Sequence, residues 1–165
     1  MNPKSLRFWP ILLTVLMADC AAKRAAEARL QPSTPQPVAG EVVRFTLGYN
    51  QGAAFGIPVG DRGRWVLIAL SSTALLILLG LYRRAHPHDT RLVTAVALVA
   101  GGAVGNLLDR VLSPQGVVDF IDVGIGSARF WTFNVADMGI LAGAILLAAA
   151  LWRRSQDAEP STPQP

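Results

Sequence analysis

Long uncharged runs separate short polar segments along this chain of 165 residues. Residues 65–82 are 18 residues without a charge, residues 92–108 are 17 and residues 138–152 are 15. At a rise of about 1.5 Å per residue, each run can cross or nearly cross a hydrocarbon core of roughly 30 Å as a helix. The pattern therefore predicts three membrane-spanning helices in this part of the chain.

A shorter apolar run near the amino terminus, residues 8–18, allows two interpretations. It follows a short basic segment, which is also typical of a cleavable signal peptide. Cys20 would then fit a lipidation site at the end of that peptide. Asp19 stands immediately before the cysteine, however, where such cleavage requires a small neutral residue. We therefore predict a first transmembrane helix over residues 8–29.

The predicted fold class is an all-α membrane protein with four transmembrane helices and a small β-rich extracytoplasmic element after the first helix. Alternating β-branched and aromatic residues predict a short strand over residues 41–47. The prolines of residues 31–40 cannot continue a helix, and this polar segment is not expected to pack. The predicted membrane domain is residues 1–154, followed by a disordered proline-rich tail, residues 155–165. The predicted spans are residues 8–29, 64–82, 92–110 and 134–152.

Glycine spacing predicts how tightly two of these spans pack. Gly101 and Gly105 are four residues apart in the third span, as are Gly139 and Gly143 in the fourth. Small residues at this spacing allow helix backbones to approach closely in a membrane. Both helices are therefore expected to face a neighbouring helix along these glycines.

Composition supports a membrane protein and argues against a nucleic-acid-binding one. Hydrophobic residues make up 52% of the chain and charged residues 16%, which is too apolar for a soluble domain of this size. The net charge of +4 comes from scattered Lys and Arg residues that fall mostly where the predicted spans meet water. The single cysteine excludes an internal disulfide and a multi-cysteine zinc site.

The distribution of basic residues gives a predicted orientation. Residues 1–7, 83–91 and 153–154 together hold seven Lys and Arg residues on one side of the membrane. The positive-inside rule favours the cytoplasm for this side, and therefore for both termini. The polar segments that flank the third and fourth spans then lie at the extracytoplasmic face.

Residues 101–137 concentrate polar chemistry between two apolar runs, and they include four aspartates. Carboxylates at bilayer depth are costly and usually functional. Paired aspartates sharing a proton would serve acid–base catalysis, whereas carboxylates along a membrane path would serve a channel or transporter. Both histidines lie in the 83–91 loop on the opposite side, which makes a zinc hydrolase an unfavoured alternative. Asp19 and Lys23, four residues apart on a helix, are predicted to pair.

Four motifs in chain order resemble those of lipoprotein signal peptidase, also called signal peptidase II. Two residues of that family's first-helix pattern, Asp19 and Lys23, are kept, while Cys20 and Ala22 depart from it. The motifs are N-x-G-A-A-F at residues 50–55, G-G-A-x-G-N-x-x-D-R at 101–110, V-V-D-F-I at 117–121 and F-N-x-A-D at 133–137.

This resemblance implies a multi-pass aspartyl endopeptidase of the bacterial cytoplasmic (inner) membrane. Its substrates would be prolipoproteins carrying a diacylglyceryl group on a cysteine, cleaved before that cysteine. The implied partners are these substrates and membrane lipids, with no nucleic acid, no metal and no cofactor, and the implied state is a monomer. The catalytic pair maps onto Asp119 and Asp137.

Other site residues follow from the same resemblance. Asp109 would support the polar network, and Arg110 would be free to hold the substrate or its lipid. Lys23 would partner Asp19, and Asp122 is interpreted as a loop charge without a role. The residues expected to line or brace the pocket are Asp19, Asn50, Gly52, Asn106 and Asn134.

Overall fold

The computed structural model of the chain describes residues 2–52 and 62–157, and in these ranges it contains four helices and four strands. All four helices are long and apolar enough to cross a membrane. The predicted fold class, four transmembrane helices with a small β-rich element, is confirmed. The elements are α1 Pro3–Arg29, β1 Gln36–Ala39, β2 Val43–Asn50, α2 Gly63–Arg84, α3 Thr90–Leu112, β3 Val117–Ile125, β4 Ala128–Arg129 and α4 Val135–Asp157.

Two helix ends differ by five residues from the sequence-based bounds, and the others agree to within two residues. α1 begins at Pro3 because the Asn2 side chain accepts a hydrogen bond from Lys4 N at 3.1 Å and proline suits the first helical turn. α4 continues to Asp157, so its last residues lie in the segment assigned to the tail. Residues 158–165 are outside the described residues, and disorder there stays a prediction.

α3 is the central helix of the bundle and packs against the other three. In its most apolar stretch 56% of the residues are buried, against 11–22% in the other helices. Leu92 and Val96 of α3 form a core with Phe8 of α1 and Leu78 of α2. The outward faces of the other helices carry exposed large apolar side chains, as expected of surfaces that face lipid, including Trp9, Leu13, Leu70, Ile77, Leu141 and Ile145.

Glycines allow the close helix contacts that their spacing predicts. A Cβ atom on Gly101 would lie 2.9 Å from the carbonyl oxygen of Leu12 in α1. A Cβ atom on Gly143 would lie 2.6 Å from Val99 Cγ2 and 2.8 Å from Ala95 O in α3. α3 is therefore in near backbone contact with both α1 and α4, and these contacts fix the positions of the polar residues that all three helices carry.

The strands form one antiparallel sheet in the order β1-β2-β3-β4. β2 corresponds to the one strand predicted after α1, displaced a few residues from the predicted range of 41–47. The segment of residues 31–40, which was not expected to pack, contains the exposed edge strand β1, and an edge strand tolerates Pro37. β3 and β4 come from the connection between α3 and α4, for which the sequence analysis assigned no strands.

The sheet packs on the carboxyl end of α1. Ala26 of α1 forms a second core cluster with Leu47 of β2 and with Val118 and Phe120 of β3. The sheet thus lies at the end of the bundle where α1 and α3 finish and where α2 and α4 begin. At the opposite end, Lys4 Nζ donates to main-chain carbonyls at the end of α2, and its distances to Tyr82 O and Arg83 O are 3.1 Å.

Replacing Gly143 by alanine tests the close contact between α3 and α4. Because the new methyl group would overlap Val99 and the main chain at Ala95, we expect Gly143→Ala to lower the free energy of unfolding by about 1–3 kcal/mol. Gly80→Ala is the matched control, since a Cβ atom there meets nothing within 4 Å. Thermal unfolding in detergent micelles measures both, and equal stability of the two variants would contradict the packing.

Candidate active site

Strand β3 carries Asp119 into the region between the sheet and the helices. The register of β3 with β2 places Asp119 opposite Gly48, and Asn50 two positions further along β2. The side chain is nearly inaccessible, with the residue 3% exposed. Asp119 Oδ1 accepts a hydrogen bond from Asn134 Nδ2 at 2.7 Å, and Oδ2 accepts one from Asn50 Nδ2 at 3.2 Å. Both carboxyl oxygens are therefore held by side-chain amides.

The first turn of α4 carries Asp137 and is closed by a reciprocal pair of hydrogen bonds. Asp137 N donates to Asn134 Oδ1 at 2.9 Å, and Asn134 N donates to Asp137 Oδ2 at 3.2 Å. This is a capping box, in which two residues three apart satisfy each other's main-chain donors at a helix start. The separation of Asn134 and Asp137 by three residues in the F-N-x-A-D motif is thus the separation that a capping box requires.

Two buried asparagines join the two aspartates. Asn134, which is fully buried, donates from Nδ2 to Asp119 Oδ1 and lies 3.1 Å from Asn106 Oδ1. Asn106 in turn donates from Nδ2 to Asp137 Oδ1 at 2.8 Å. Each aspartate is therefore hydrogen-bonded to Asn134 and to a second asparagine, which is Asn50 for Asp119 and Asn106 for Asp137. This arrangement fixes the carboxyl groups of a strand residue and a helix residue relative to one another.

Lys23 of α1 lies at the centre of the network and is 3% exposed. Its ammonium group is 2.7 Å from Asp19 Oδ2, 2.8 Å from Asp109 Oδ2 and 2.9 Å from Asn106 Oδ1. An ammonium has three protons, so three acceptors use all of them. The pairing of Asp19 with Lys23 predicted from their spacing is present, and the same lysine also joins α1 to α3.

The two carboxylates around Lys23 extend this network to main-chain donors. Asp19 Oδ1 accepts a hydrogen bond from Ala136 N in the first turn of α4 at 2.8 Å. Asp109 Oδ2 accepts one from Val118 N in β3 at 3.2 Å. The sequence analysis did not identify Ala136 or Val118, because any residue except proline carries the same donor and no sequence signal marks it.

Arg110 approaches the site from the last turn of α3. Its Nη1 donates to Asn106 O at 3.3 Å and its Nη2 to Gly52 O at 3.5 Å. Gly52 N donates to Asn50 Oδ1 at 2.9 Å, which links this contact to Asp119. Arg110 Nε is buried and has no partner within residues 2–52 and 62–157.

The structure brings all the predicted site residues into one hydrogen-bonded network at one end of the bundle. Their catalytic and binding roles stay predictions. Residues 53–55 of the first motif lie outside the described residues. The members of the network are Asp19, Lys23, Asn50, Gly52, Asn106, Asp109, Arg110, Asp119, Asn134 and Asp137.

Burial, and secondly the charge of Asp137, raise the pKa of Asp119 from its ordinary value of 3.8 to about 7. The hydrogen bonds from Asn50 and Asn134 and the charge of Lys23 lower the pKa, but by less. Two carboxyl groups in one poorly solvated site cannot both ionise easily, so one keeps its proton. The site therefore holds a proton near neutral pH beside a second carboxyl group, which is the arrangement that acid–base catalysis requires.

The interpretation of Asp122 as a loop charge is wrong. Asp122 lies in β3, is 8% exposed and forms an ion pair with Arg129, with Asp122 Oδ1 2.9 Å from Arg129 Nη2. Thr46 Oγ1 also donates to Asp122 Oδ2 at 3.1 Å. Asp122 was misinterpreted because the segment was not recognised as a strand, and its contacts fasten β3 to its neighbours in the sheet.

A protein-family model described as signal peptidase (SPase) II matches residues 11–153 of the chain. The chain belongs to the signal peptidase II family. The lipoprotein signal peptidase of Ectopseudomonas mendocina is 38% identical over 165 residues, covering 95% of this chain and 97% of that protein. The lipoprotein signal peptidase of Hydrogenovibrio crunogenus is 39% identical over 142 residues, covering 83% and 80% respectively.

Solved structures of two bacterial membrane enzymes, obtained by the in meso method, share this fold. The structure at 2.3 Å resolution has a TM-score of 0.79 and 29% sequence identity, covering 93% of this chain and 92% of that one. The structure at 1.9 Å resolution has a TM-score of 0.74 and 31% identity, covering 86% and 89%. This member of the signal peptidase II family is thus a multi-pass membrane protease of lipoprotein processing, with the network above at one end of its bundle.

Replacing Lys23 by methionine tests whether the network holds the bundle together. Without the ammonium group the buried Asp19 and the half-buried Asp109 lose their cation, so we expect Lys23→Met to lower the free energy of unfolding by roughly 3–5 kcal/mol. Arg24→Met is the control, because Arg24 is exposed on the same helix and its loss should change stability by less than about 0.5 kcal/mol. Thermal unfolding in detergent micelles that left both variants equally stable would contradict this account.

Proposed function

We propose that this signal peptidase II cleaves diacylglyceryl-modified prolipoproteins before the lipidated cysteine, with Asp119 and Asp137 as the catalytic pair and water as the nucleophile. The observation that carries the proposal is that the buried Asn134 donates to both carboxyl groups, from Nδ2 to Asp119 Oδ1 and from its main-chain N to Asp137 Oδ2. The raised pKa of Asp119, about 7, means that the pair can hold one proton at neutral pH. That is the protonation state that an aspartyl protease needs.

The chemistry uses one carboxylate and one carboxyl group. The carboxylate takes a proton from water as the water oxygen bonds to the carbonyl carbon that precedes the cysteine. The resulting tetrahedral oxyanion re-forms a carbonyl group as its bond to the cysteine nitrogen breaks, and the other carboxyl group donates its proton to that nitrogen. One proton enters the pair and one leaves it, so the pair again holds a single proton at the end of the reaction. No covalent bond forms between the enzyme and the substrate.

The remaining network residues have supporting roles in this proposal. Lys23 and Asn106 fix Asp137, and Asn50 and Asn134 fix Asp119, through the contacts described above. Groups held in this way are preorganised, which avoids the cost of orienting them during the reaction. Arg110 would bind the substrate or its lipid, because its guanidinium reaches Gly52, whose N–H group is linked to Asp119 through Asn50.

The membrane location follows from the substrate in this proposal. The acyl chains of a lipidated prolipoprotein would enter the site laterally from the bilayer, along the exposed apolar faces of the helices. The site would lie at the extracytoplasmic face of the cytoplasmic membrane, with both termini in the cytoplasm, because the short segments at the opposite end of the bundle, residues 1–7, 83–91 and 153–154, are dense in Lys and Arg. The enzyme would act as a monomer, since one chain supplies the whole network.

Removing either carboxyl group tests the catalytic pair. Asp119→Asn and Asp137→Asn remove a proton acceptor or donor with little change in shape, so each should lower kcat by at least roughly 10²–10⁴-fold. Glu41→Gln, at an exposed carboxylate beside the sheet, is the control and should cleave at the wild-type rate. The assay is cleavage of a lipid-modified prolipoprotein by purified enzyme in detergent. Full activity in either aspartate variant would exclude the pair, and ion flux in proteoliposomes without cleavage would favour a transporter.

The pH dependence tests the shared proton separately. Asp119 is protonated below its raised pKa and loses the proton above it, so activity should fall as the pH rises through about 7. The hydrogen bond from Asn50 lowers the pKa of Asp119, so Asn50→Ala should move this decline to higher pH. Profiles of kcat against pH for the wild type and Asn50→Ala measure the shift. A wild-type profile that stays flat through pH 7 would contradict the role assigned to Asp119.

A further inference from the structure

Arg64, in the first turn of α2, binds the carboxyl end of α3. Its Nε donates to Arg110 O at 2.6 Å and its Nη2 donates to Val111 O at 2.9 Å. The guanidinium also lies over the ring of Trp65, 5.5 Å from its centroid. Arg64 belongs to none of the motifs of the family resemblance, and the catalytic proposal gives it no role.

The two carbonyl groups that Arg64 binds belong to the last turn of α3. Carbonyl groups there have no donor further along the helix. Asp109 O accepts a hydrogen bond from Ser113 N at 2.8 Å, which leaves Arg110 O and Val111 O for Arg64. A cation at this position also interacts favourably with the negative end of the helix dipole. Arg64 therefore completes the end of the helix that carries Asp109 and Arg110.

Arg110 is held at two separate places by this arrangement. Its main-chain carbonyl binds Arg64 of α2, and its guanidinium reaches Gly52 at the end of the β2 segment. The contact with Gly52 is long, at 3.5 Å, and Nε is buried without a partner in the described part of the chain. The position of the side chain therefore depends on the backbone of the last turn of α3 as well as on the long contacts of the guanidinium with Asn106 O and Gly52 O.

The contact of Arg64 with the end of α3 is important for the position of α2, because α2 has little other packing. Among the described elements α2 packs extensively against α3 alone, and only 11% of its most apolar stretch is buried. Its far end is bound by Lys4 of α1 through main-chain carbonyls. At the end near the site, Arg64 supplies the corresponding polar contact. The register of α2 against α3 beside Arg110 therefore depends on the guanidinium of Arg64.

We propose that Arg64 is a positioning residue that fixes the last turn of α3 so that the guanidinium of Arg110 binds an oxygen atom of the lipidated substrate. This inference rests on the proposed function, from which the substrate and the binding role of Arg110 are taken. Arg64 itself touches neither the substrate nor the aspartates. Its contribution is to substrate binding and not to the chemical step.

A double-mutant cycle in steady-state kinetics tests this positioning. Wild type, Arg64→Met, Arg110→Met and the double variant are compared on a diacylglyceryl-modified prolipoprotein in detergent micelles. We expect Arg64→Met to raise KM about tenfold with kcat changed by less than about twofold, as for a lost binding interaction. Because Arg64 acts through Arg110, the KM of the double variant should equal that of Arg110→Met alone.

Two further variants make the result specific. Arg62→Met removes a charge from an exposed side chain two residues away, and its KM should match that of the wild type. Arg64→Lys keeps a cation but loses the planar fork that spans two carbonyl groups, so its KM should rise by about threefold. If Arg64→Met does not fold, Arg64→Lys takes its place in the same cycle with Arg110→Met.

Two results would overturn the inference. Increases in KM that multiply in the double variant would show that Arg64 and Arg110 act independently. A fall in melting temperature with unchanged KM in either Arg64 variant would make Arg64 only a structural cap. Failure of the catalytic proposal would look different, because it would appear as retained cleavage in Asp119→Asn or Asp137→Asn. The KM cycle reports on substrate binding whichever groups activate the water.

Discussion

The buried ammonium group of Lys23 is the constraint on which the arrangement of this protein depends. This cation lies within 3 Å of Asp19, Asp109 and Asn106. Because the contacts join α1 to α3, they fix how far one helix is shifted along the other and which faces of the two helices meet. Charged groups removed from water are tolerated only when they are paired and hydrogen-bonded. Apolar packing along the bundle permits several alignments of similar free energy. The lysine makes one alignment favourable, and the glycine contacts make it sterically possible.

The two proposed catalytic carboxyl groups come from elements of different kinds. Asp119 lies on a strand, where its position follows from the register with β2. Asp137 lies in a helix cap, where it also satisfies a main-chain donor of Asn134. Neither β3 nor the start of α4 carries both carboxyl groups, so the local structure of one element does not bring them together. Their relation depends on Asn106 and Asn134, so the pair is a product of tertiary structure, and Lys23 reaches it through Asn106.

Much of the architecture follows from the sequence, and the parts that do not follow have physical causes. The uncharged runs locate the spans because a bilayer imposes length and composition directly. β3 was missed because its aspartates interrupt the alternation that marks a half-buried strand, and Asp122 was misjudged with it. The site residues were identified through motif resemblance. The hydrogen bonds from Ala136 N to Asp19 and from Val118 N to Asp109 could not be predicted from the sequence, because every residue except proline has a main-chain N–H group.

These main-chain donors also bear on how the enzyme could escape an inhibitor that occupies the site. Resistance usually arises when a side chain that contacts the drug is exchanged. The N–H groups that hold Asp19 and Asp109 cannot be removed in this way, except by proline, which would disturb the start of α4 or the strand β3. Exchange of the side chain at position 136 or 118 for anything but proline would therefore leave the donor in place, and this part of the surface that an inhibitor meets does not depend on the side chains at those two positions.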